Sequence, residues 1–173
     1  MNIFNIGNSL KSRKRTSNRN LERYNCCIKD LIGNESVKSM SNFIQHNDVT
    51  CLDHCISVSY YSYLVCRFFK RDWRSAARGG LLHDLFLYDW HHTPPRTGLH
   101  AFVHPSIALK NAEIFNLNNT EKDIIKKHMW PLTVIPPYHF ESLVVSCVDK
   151  YCALCETSGI ISVSLPGFSR QKS

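Results

Sequence analysis

The stretch GGLLHDLFLYDWHH, residues 79–92, sets polar side chains directly against an apolar run. His83 and Asp84 follow two glycines and two leucines, and a second polar group occupies residues 89–92. An imidazole and a carboxylate both lose hydration when they turn toward an apolar interior, and that loss must be compensated. A divalent transition metal would satisfy both, because it accepts nitrogen and oxygen ligands together.

Further His and Asp residues stand where apolar side chains are expected. Asp149 shares a helical face with Val145 and Cys152, and His54 shares one with Val58. A single residue of this kind is commonly a hydrogen-bonded core residue, and a buried Asp can pair with an Arg. Several helices that each turn such a residue inward favour a metal site, which helical bundles build from facing helices. The candidate metal ligands are His54, His83, Asp84, His104, His128 and Asp149.

The apolar residues of the chain recur at helical spacing, and strand alternation is nearly absent. Helices are predicted at about residues 21–31, 36–45, 51–69, 72–85, 104–115, 121–129 and 140–156. His104-Pro105 should open one of them, because Pro suits the first helical position. The pattern predicts an all-α, single-domain bundle of six or seven helices over residues 21–157. Residues 1–20 are expected to form a disordered basic leader, and residues 158–173 a weakly structured tail.

The net charge of +7 is concentrated near the N-terminus. Residues 1–25 hold six Lys or Arg residues against one Glu. The leader is expected to be a solvated tail, or to make a weak nucleic-acid contact, whereas the body gives no electrostatic reason to bind nucleic acid. No apolar run approaches the roughly 20 residues that a membrane-spanning helix needs, so no membrane partner is expected.

Eight cysteines lie mostly within apolar helical patterns. Cys152 and Cys155 have the spacing of a metal knuckle, but no second pair completes a four-thiolate zinc site. Buried reduced thiols are therefore predicted over structural zinc, which points to a cytoplasmic protein.

The order of His54, His83-Asp84 and Asp149 on an all-α chain resembles the HD-domain superfamily of metal-dependent phosphohydrolases. The resemblance covers about residues 36–156. The stretches FIQHNDVTCLDHCISVSYYSYLVC and HMWPL further resemble a bacterial subgroup of small, stand-alone HD hydrolases.

The resemblance implies one or two divalent ions, of Mn, Fe, Co, Ni or Zn. A first ion would be held by His54, His83, Asp84 and Asp149, and a second by His104 and His128, with Asp84 bridging. It also implies a phosphomonoesterase or phosphodiesterase that uses metal-activated water on a nucleotide-like or other small phosphorylated substrate.

Several residues outside the ligand set are candidates for phosphate or substrate contacts. Asp84, Arg78 and Lys150 are predicted to be catalytic, the last two as cations that neutralise phosphate oxygens, with structural pairing as their alternative. The predicted substrate rim consists of His91, His92, Arg96 and Trp130, with a merely solvated loop as its alternative. His46 is a candidate supporting group for His54.

Two other functions are compatible with the sequence. The same six ligands would suit a di-iron oxygenase of the HD fold. A non-catalytic binding or regulatory module with a structural metal is the other alternative, and it would have a closed coordination shell. The oligomeric state does not follow from the sequence.

Overall fold

Helices make up most of the chain in the computed structural model, which describes residues 3–89 and 100–159, with side chains over residues 16–89 and 101–159. The α-helices are α1 (Ile3–Ile32), α2 (Glu35–Lys38), α3 (Cys51–Phe68), α4 (Trp73–Leu82), α5 (His100–Ala112), α6 (Asn119–Lys127) and α7 (Phe140–Thr157). Two short 3-10 helices cover Ser39–Asn42 and Glu113–Phe115, and a small antiparallel hairpin pairs β1 (Ile44–His46) with β2 (Val49–Thr50). These elements confirm the predicted all-α class and its six or seven helices.

The two glycines before His83 allow α4 to pack closely between α3 and α6. A Cβ at Gly80 would lie 2.9 Å from the Ser59 Cα, which belongs to the α3 backbone. A Cβ at Gly79 would lie 2.7 Å from the Ile124 side chain of α6. The end of α4, where His83 and Asp84 stand, is therefore drawn against the helices that carry His54 and His128.

The main core lies where α1, α3, α4 and α5 meet. Its largest fully buried side chains include Tyr24, Leu31, Tyr63 and Leu81. Short caps define the neighbouring helix starts: Asp72 accepts from the Ser75 N–H at α4, and Asn118 and Glu121 form a capping box at α6. These caps fix the starts of α4 and α6, whose opposite ends carry His83 and His128.

The helix at the N-terminus is longer than predicted. Its backbone is helical from Ile3, whereas the sequence pattern predicts a helix from residue 21 and a disordered leader before it. Residues 16–19 are exposed, and Tyr24, within the predicted portion, is fully buried. The residues before it include no proline that would stop helical hydrogen bonding.

The prediction of one continuous helix over residues 36–45 is wrong in its second half. The chain there forms α2, a 3-10 helix and the β1–β2 hairpin. Asn47 has a positive φ of 47°, which Asn tolerates better than most residues and which reverses the chain at the hairpin. The hairpin turns Gln45 inward, where it is buried.

The predicted start of the fifth helix is also corrected. α5 already includes His100, so His104 and Pro105 lie inside the helix. Pro105 lacks the N–H that would bond to the carbonyl four residues earlier. The predicted loop of residues 89–100 and the predicted tail fall largely outside the described residues.

The remaining broad predictions concern thiols and membranes. All eight cysteines are free and five are buried, but Cys26 and Cys147 are exposed and Cys155 is partly exposed, so the prediction of buried thiols is wrong at those positions. Among the described residues, none of the helices combines the length and apolarity that crossing a bilayer requires.

Candidate metal centre

Five helices bring the six predicted ligands to one place in the bundle. His54 comes from α3 and Asp149 from α7, while His83 and Asp84 follow the last turn of α4. His104 belongs to α5, and His128 caps the end of α6. Five of these side chains are buried, and Asp149 keeps 13% of its side chain exposed.

The first half of the centre contains His54, His83, Asp84 and Asp149. The Asp149 Oδ1 lies 3.1 Å from the His54 Nε2 and 3.6 Å from the His83 Nε2. The His83 Nε2 also lies 3.5 Å from the Asp84 Oδ2. Ligands about 2.1 Å from one ion stand roughly 3.0 to 3.4 Å apart at octahedral or tetrahedral angles. The observed separations are close to that range.

The second half of the centre contains Asp84, His104 and His128. The Nε2 atoms of the two histidines are 2.8 Å apart. The Asp84 Oδ1 lies 3.2 Å from the His104 Nε2 and 3.4 Å from the His128 Nε2. Asp84 therefore presents Oδ2 to the first group and Oδ1 to the second, which is the arrangement of a bridging carboxylate.

Three imidazoles are oriented by acceptors on the side away from the centre. The His83 Nδ1 lies 2.8 Å from the Gly80 carbonyl, and the His128 Nδ1 lies 2.9 Å from the Ile125 carbonyl. The His54 Nδ1 lies 2.8 Å from the Glu156 Oε2. A proton on each Nδ1 satisfies these acceptors and leaves the Nε2 lone pair facing the centre, as metal-ligating histidines require.

Unsatisfied polar atoms collect at the same place. Five buried side-chain nitrogen or oxygen atoms lack a hydrogen-bond partner in the described part of the chain. Three of them belong to the centre: the Gln45 Oε1, the His83 Nε2 and the Asp84 Oδ1. Buried polar atoms are normally paired, so this concentration fits residues arranged to bind a cation. The buried His and Asp groups can hold a metal ion.

The electrostatics of the centre keep its carboxylates ionised. Burial alone would raise the pKa of Asp84, but His83, His104 and His128 outweigh it and hold that pKa well below its usual range. His54 and His83 hold the pKa of Asp149 well below its usual range in the same way.

The histidines differ in how their pKa values respond. Burial disfavours the His54 imidazolium, yet Asp149 and Glu156 raise its pKa well above the ordinary value. Asp84 and Asp149 likewise overcome burial to raise the pKa of His83. For His128 burial prevails, and its pKa is lowered. The carboxylates thus act more strongly on the histidines of the first group, His54 and His83, than on His128 of the second.

Gln45 and Glu156 support the centre and were not predicted from the sequence, whereas His46 was predicted as a supporting group for His54. Gln45 donates from its Nε2 to the Asp84 Oδ2 at 2.7 Å, and its inward position depends on the unpredicted hairpin. Glu156 stands seven residues after Asp149, two turns further along the same face of α7, and that spacing was a usable signal. His46 packs edge-on against His54, with ring centroids 5.5 Å apart.

The group of His46, His54 and Glu156 also has ligand atoms close enough to share an ion. However, the His54 Nε2 already faces Asp149 in the centre, and its Nδ1, on the other side of the ring, lies 2.8 Å from the Glu156 Oε2. We therefore interpret Glu156 as a positioning residue for His54.

Only some of the residues predicted to contact phosphate or substrate lie beside the centre in the described part of the chain. Lys150 lies beside the centre: its Nζ donates to the His128 carbonyl at 2.8 Å and lies 3.7 Å from the Asp149 Oδ2. Trp130 follows His128 closely and is half-buried. Lys150 and Trp130 are thus adjacent to ligands, while His91, His92 and Arg96 lie outside the described residues.

Arg78 is corrected to a structural residue. Its Nε donates to the Glu121 Oε1 at 2.7 Å, its Nη2 donates to the Phe115 carbonyl at 3.1 Å, and its Nη1 donates to Asp30. All three guanidinium nitrogens thus donate hydrogen bonds to other elements, so the side chain stabilises the fold. A buried Arg needs such partners, which explains why structural pairing replaced the predicted role in catalysis.

No protein-family model, curated protein or solved structure matches this chain. The resemblance to the HD-domain superfamily therefore stays a prediction. The assignment of the centre depends on its own distances, burial and unsatisfied atoms.

Proposed function

We propose that the protein is a metal-dependent phosphohydrolase of the HD-domain type, acting on a nucleotide-like or other small phosphorylated substrate. The observation that carries the proposal is the position of Asp84, with one carboxylate oxygen in each ligand group, 3.5 Å from the His83 Nε2 and 3.2 Å from the His104 Nε2. Sites in which one carboxylate joins two ions are suited to in-line phosphoryl displacement.

Two bound transition-metal ions would supply charge neutralisation for the phosphoryl group and would activate a water molecule for attack. The residues of the chain do the positioning. His54, His83, Asp84 and Asp149 would hold one ion, and His104 and His128 would share Asp84 with the other. The backbone acceptors behind His83 and His128 keep both rings aligned with the centre.

Lys150 supplies a cation beside the proposed reaction site. Its side chain is 41% exposed, and its Nζ donates to the His128 carbonyl and to the carbonyl and hydroxyl of Ser146. We assign it the neutralisation of a phosphate oxygen. Trp130 and the basic segment with His91, His92 and Arg96 complete the proposed rim, which would favour an anionic substrate.

The test is phosphate release from a panel of phosphorylated metabolites by protein loaded with Mn, Co, Ni, Fe or Mg. We expect turnover with at least one ion and its loss on chelation. Asp84→Asn should abolish turnover without unfolding the bundle, whereas Asp48→Asn, at an exposed aspartate, should leave it unchanged.

A result of a different kind would replace the proposal. Oxygen consumption with a di-iron spectroscopic signal, and no phosphate release, would identify an oxygenase. Metal binding with no turnover in either assay would identify a binding or regulatory module.

A further inference from the structure

A separate cavity lies on the outer side of α5 and α6. Its volume is about 330 Å³, and it is enclosed by these two helices and by the loop that follows α6. Phe102 of α5 lines it, two residues before His104. Neighbouring helical residues point about 100° apart, so residues two apart point in nearly opposite directions. Phe102 therefore points away from the side of α5 that carries His104.

The walls of this cavity are apolar and incompletely covered. Phe102 is 50% exposed, Leu132 53%, Ile135 63% and Val134 92%. Four large apolar side chains thus surround one concavity at the surface. Exposed apolar groups gathered in this way are typical of ligand-binding grooves.

Two lysines, Lys126 and Lys127, stand in the lining of the cavity. The Lys126 Nζ donates to the Ser106 Oγ at 2.7 Å, which joins α6 to α5 across the cavity. The neighbouring Lys127 is neutralised by Asp123, with its Nζ 2.7 Å from the Asp123 Oδ1. Lys126 has no carboxylate partner within residues 16–89 and 101–159. The lining therefore combines an apolar surface with a single uncompensated positive charge.

We propose that this cavity binds an amphipathic monoanion, namely a free fatty acid of medium chain length. The volume accommodates roughly ten water-sized groups, at about 30 Å³ each, which suits a chain of about ten carbons. The alkyl chain packs against Phe102, Leu132 and Ile135, and the carboxylate accepts hydrogen bonds from Lys126 and Ser106. This site is independent of the phosphohydrolase proposal.

Decanoate binding to the full-length protein, measured by calorimetry, tests the site. We expect saturable binding of one decanoate per chain and much weaker binding of butyrate, which lacks the apolar length, and of decanol, which lacks the charge. Lys126→Ala should weaken decanoate binding about tenfold, because a charged hydrogen bond is lost. Val134→Asp should weaken it more strongly by placing a carboxylate in the apolar wall.

Matched variants distinguish binding in this cavity from a general effect of surface charge or of unfolding. Lys110→Ala removes an exposed lysine of α5 and should leave decanoate affinity unchanged. Val134 and Lys126 are exposed, so both variants should fold, which circular dichroism verifies. Equal decanoate affinity in wild type, Lys126→Ala and Val134→Asp would overturn the proposal.

Two further outcomes would also overturn it. One is a dimer that Val134→Asp dissociates, with no decanoate binding, which would make this face a contact between copies of the chain. The other is binding to anionic phospholipid vesicles without binding of monomeric decanoate, which would make it a membrane-contact surface.

Discussion

The His54 imidazole lies between two carboxylates of one helix, with Asp149 at its Nε2 and Glu156 at its Nδ1. Asp149 faces the metal centre, whereas Glu156 lies behind the ring and is 7% exposed. A carboxylate in this position fixes the tautomer of the histidine and increases its basicity as a ligand. We therefore expect Glu156 to raise the metal affinity of His54 without itself being a ligand.

Glu156→Gln should lower metal affinity by about 10- to 100-fold, the range typical for loss of such a supporting carboxylate. Competition with a fluorescent chelator measures the change. Glu35→Gln, at a largely exposed glutamate, is the matched control and should bind metal as the wild type does. Unchanged affinity in Glu156→Gln would show that the hydrogen bond to His54 has no role in binding.

The raised pKa values of His54 and His83 predict opposite pH responses of metal-free and metal-loaded protein. In the metal-free protein, the contacts of the His54 and His83 imidazolium rings with carboxylates stabilise the fold at pH values below about 6.5, the pKa of an unfolded histidine. This stabilisation is lost as the pH rises through the raised pKa values that the two histidines have in the folded protein. Metal must displace those protons, so metal affinity rises over the same interval.

Thermal unfolding between about pH 6.5 and 8.5 checks this prediction, since the interval starts at the unfolded histidine pKa. The melting temperature of chelator-treated protein should fall as pH rises, and the increase produced by added metal should grow. A chelated protein whose melting temperature rises across that interval would contradict the assigned origin of the His54 and His83 shifts.

The six candidate ligands were named from residue type, from their places on apolar helical faces or near helix ends, and from the resemblance to HD-domain proteins, and the structure brings them together. Gln45 could not be named, because its contact with Asp84 depends on a hairpin whose short strands carry no clear alternation. Arg78 was named for the wrong role, since only the fold shows that Glu121 and Asp30 surround it.

At the scale of elements, the centre depends on the close approach of α4 to α3. Gly80 permits this approach, because a side chain there would meet the Ser59 backbone at 2.9 Å. The hydroxyl of Ser59 donates to the Ala77 carbonyl at 2.6 Å and fixes the same crossing. The Gly-Gly pair before the His-Asp pair thus has a packing function that also positions the ligands.

Gly80→Ala should destabilise the fold by about 1 to 3 kcal/mol, the usual cost of overpacking, and should weaken metal binding by shifting His83 and Asp84. Chemical denaturation and metal titration measure the two effects. Gly33→Ala is a matched control, since no atom lies within 4 Å of its added Cβ. A Gly80→Ala variant as stable as Gly33→Ala would refute the close-packing account.

The helical elements were predicted well where apolar spacing was regular and less well where local chemistry set the boundary. The start of α5 was placed at His104 because of Pro105, but the helix already contains His100. α1 was predicted only from residue 21, where apolar residues begin to recur at helical spacing, although its backbone is helical from Ile3.

At the scale of the whole molecule, Arg78 connects three parts of the bundle. It joins α4 to Glu121 of α6, to Asp30 of α1 and to the Phe115 carbonyl that precedes α6. The guanidinium and the Glu121 carboxylate are both buried, with 6% and 4% of their side chains exposed. Removing one partner of such a pair leaves an uncompensated buried charge.

Arg78→Ala should therefore lower the free energy of unfolding by about 3 to 5 kcal/mol. Arg78→Lys should restore only part of it, because a single ammonium cannot reproduce the three-directional contacts of guanidinium. Arg74→Ala, at an exposed position of the same helix, should change stability by less than about 0.5 kcal/mol. Chemical denaturation measures all three, and an Arg78→Ala variant of normal stability would contradict the structural assignment.

The central claim is that one carboxylate, Asp84, joins two metal sites, and metal stoichiometry tests it most directly. Native mass spectrometry of anaerobically purified protein, titrated with Mn, Co, Ni, Fe or Zn, counts the ions on each folded chain. We expect two ions per chain for the wild type, loss of both ions in Asp84→Asn, and wild-type occupancy in Asp48→Asn. Fewer than one ion per chain under all conditions, or two ions retained by Asp84→Asn, would contradict it.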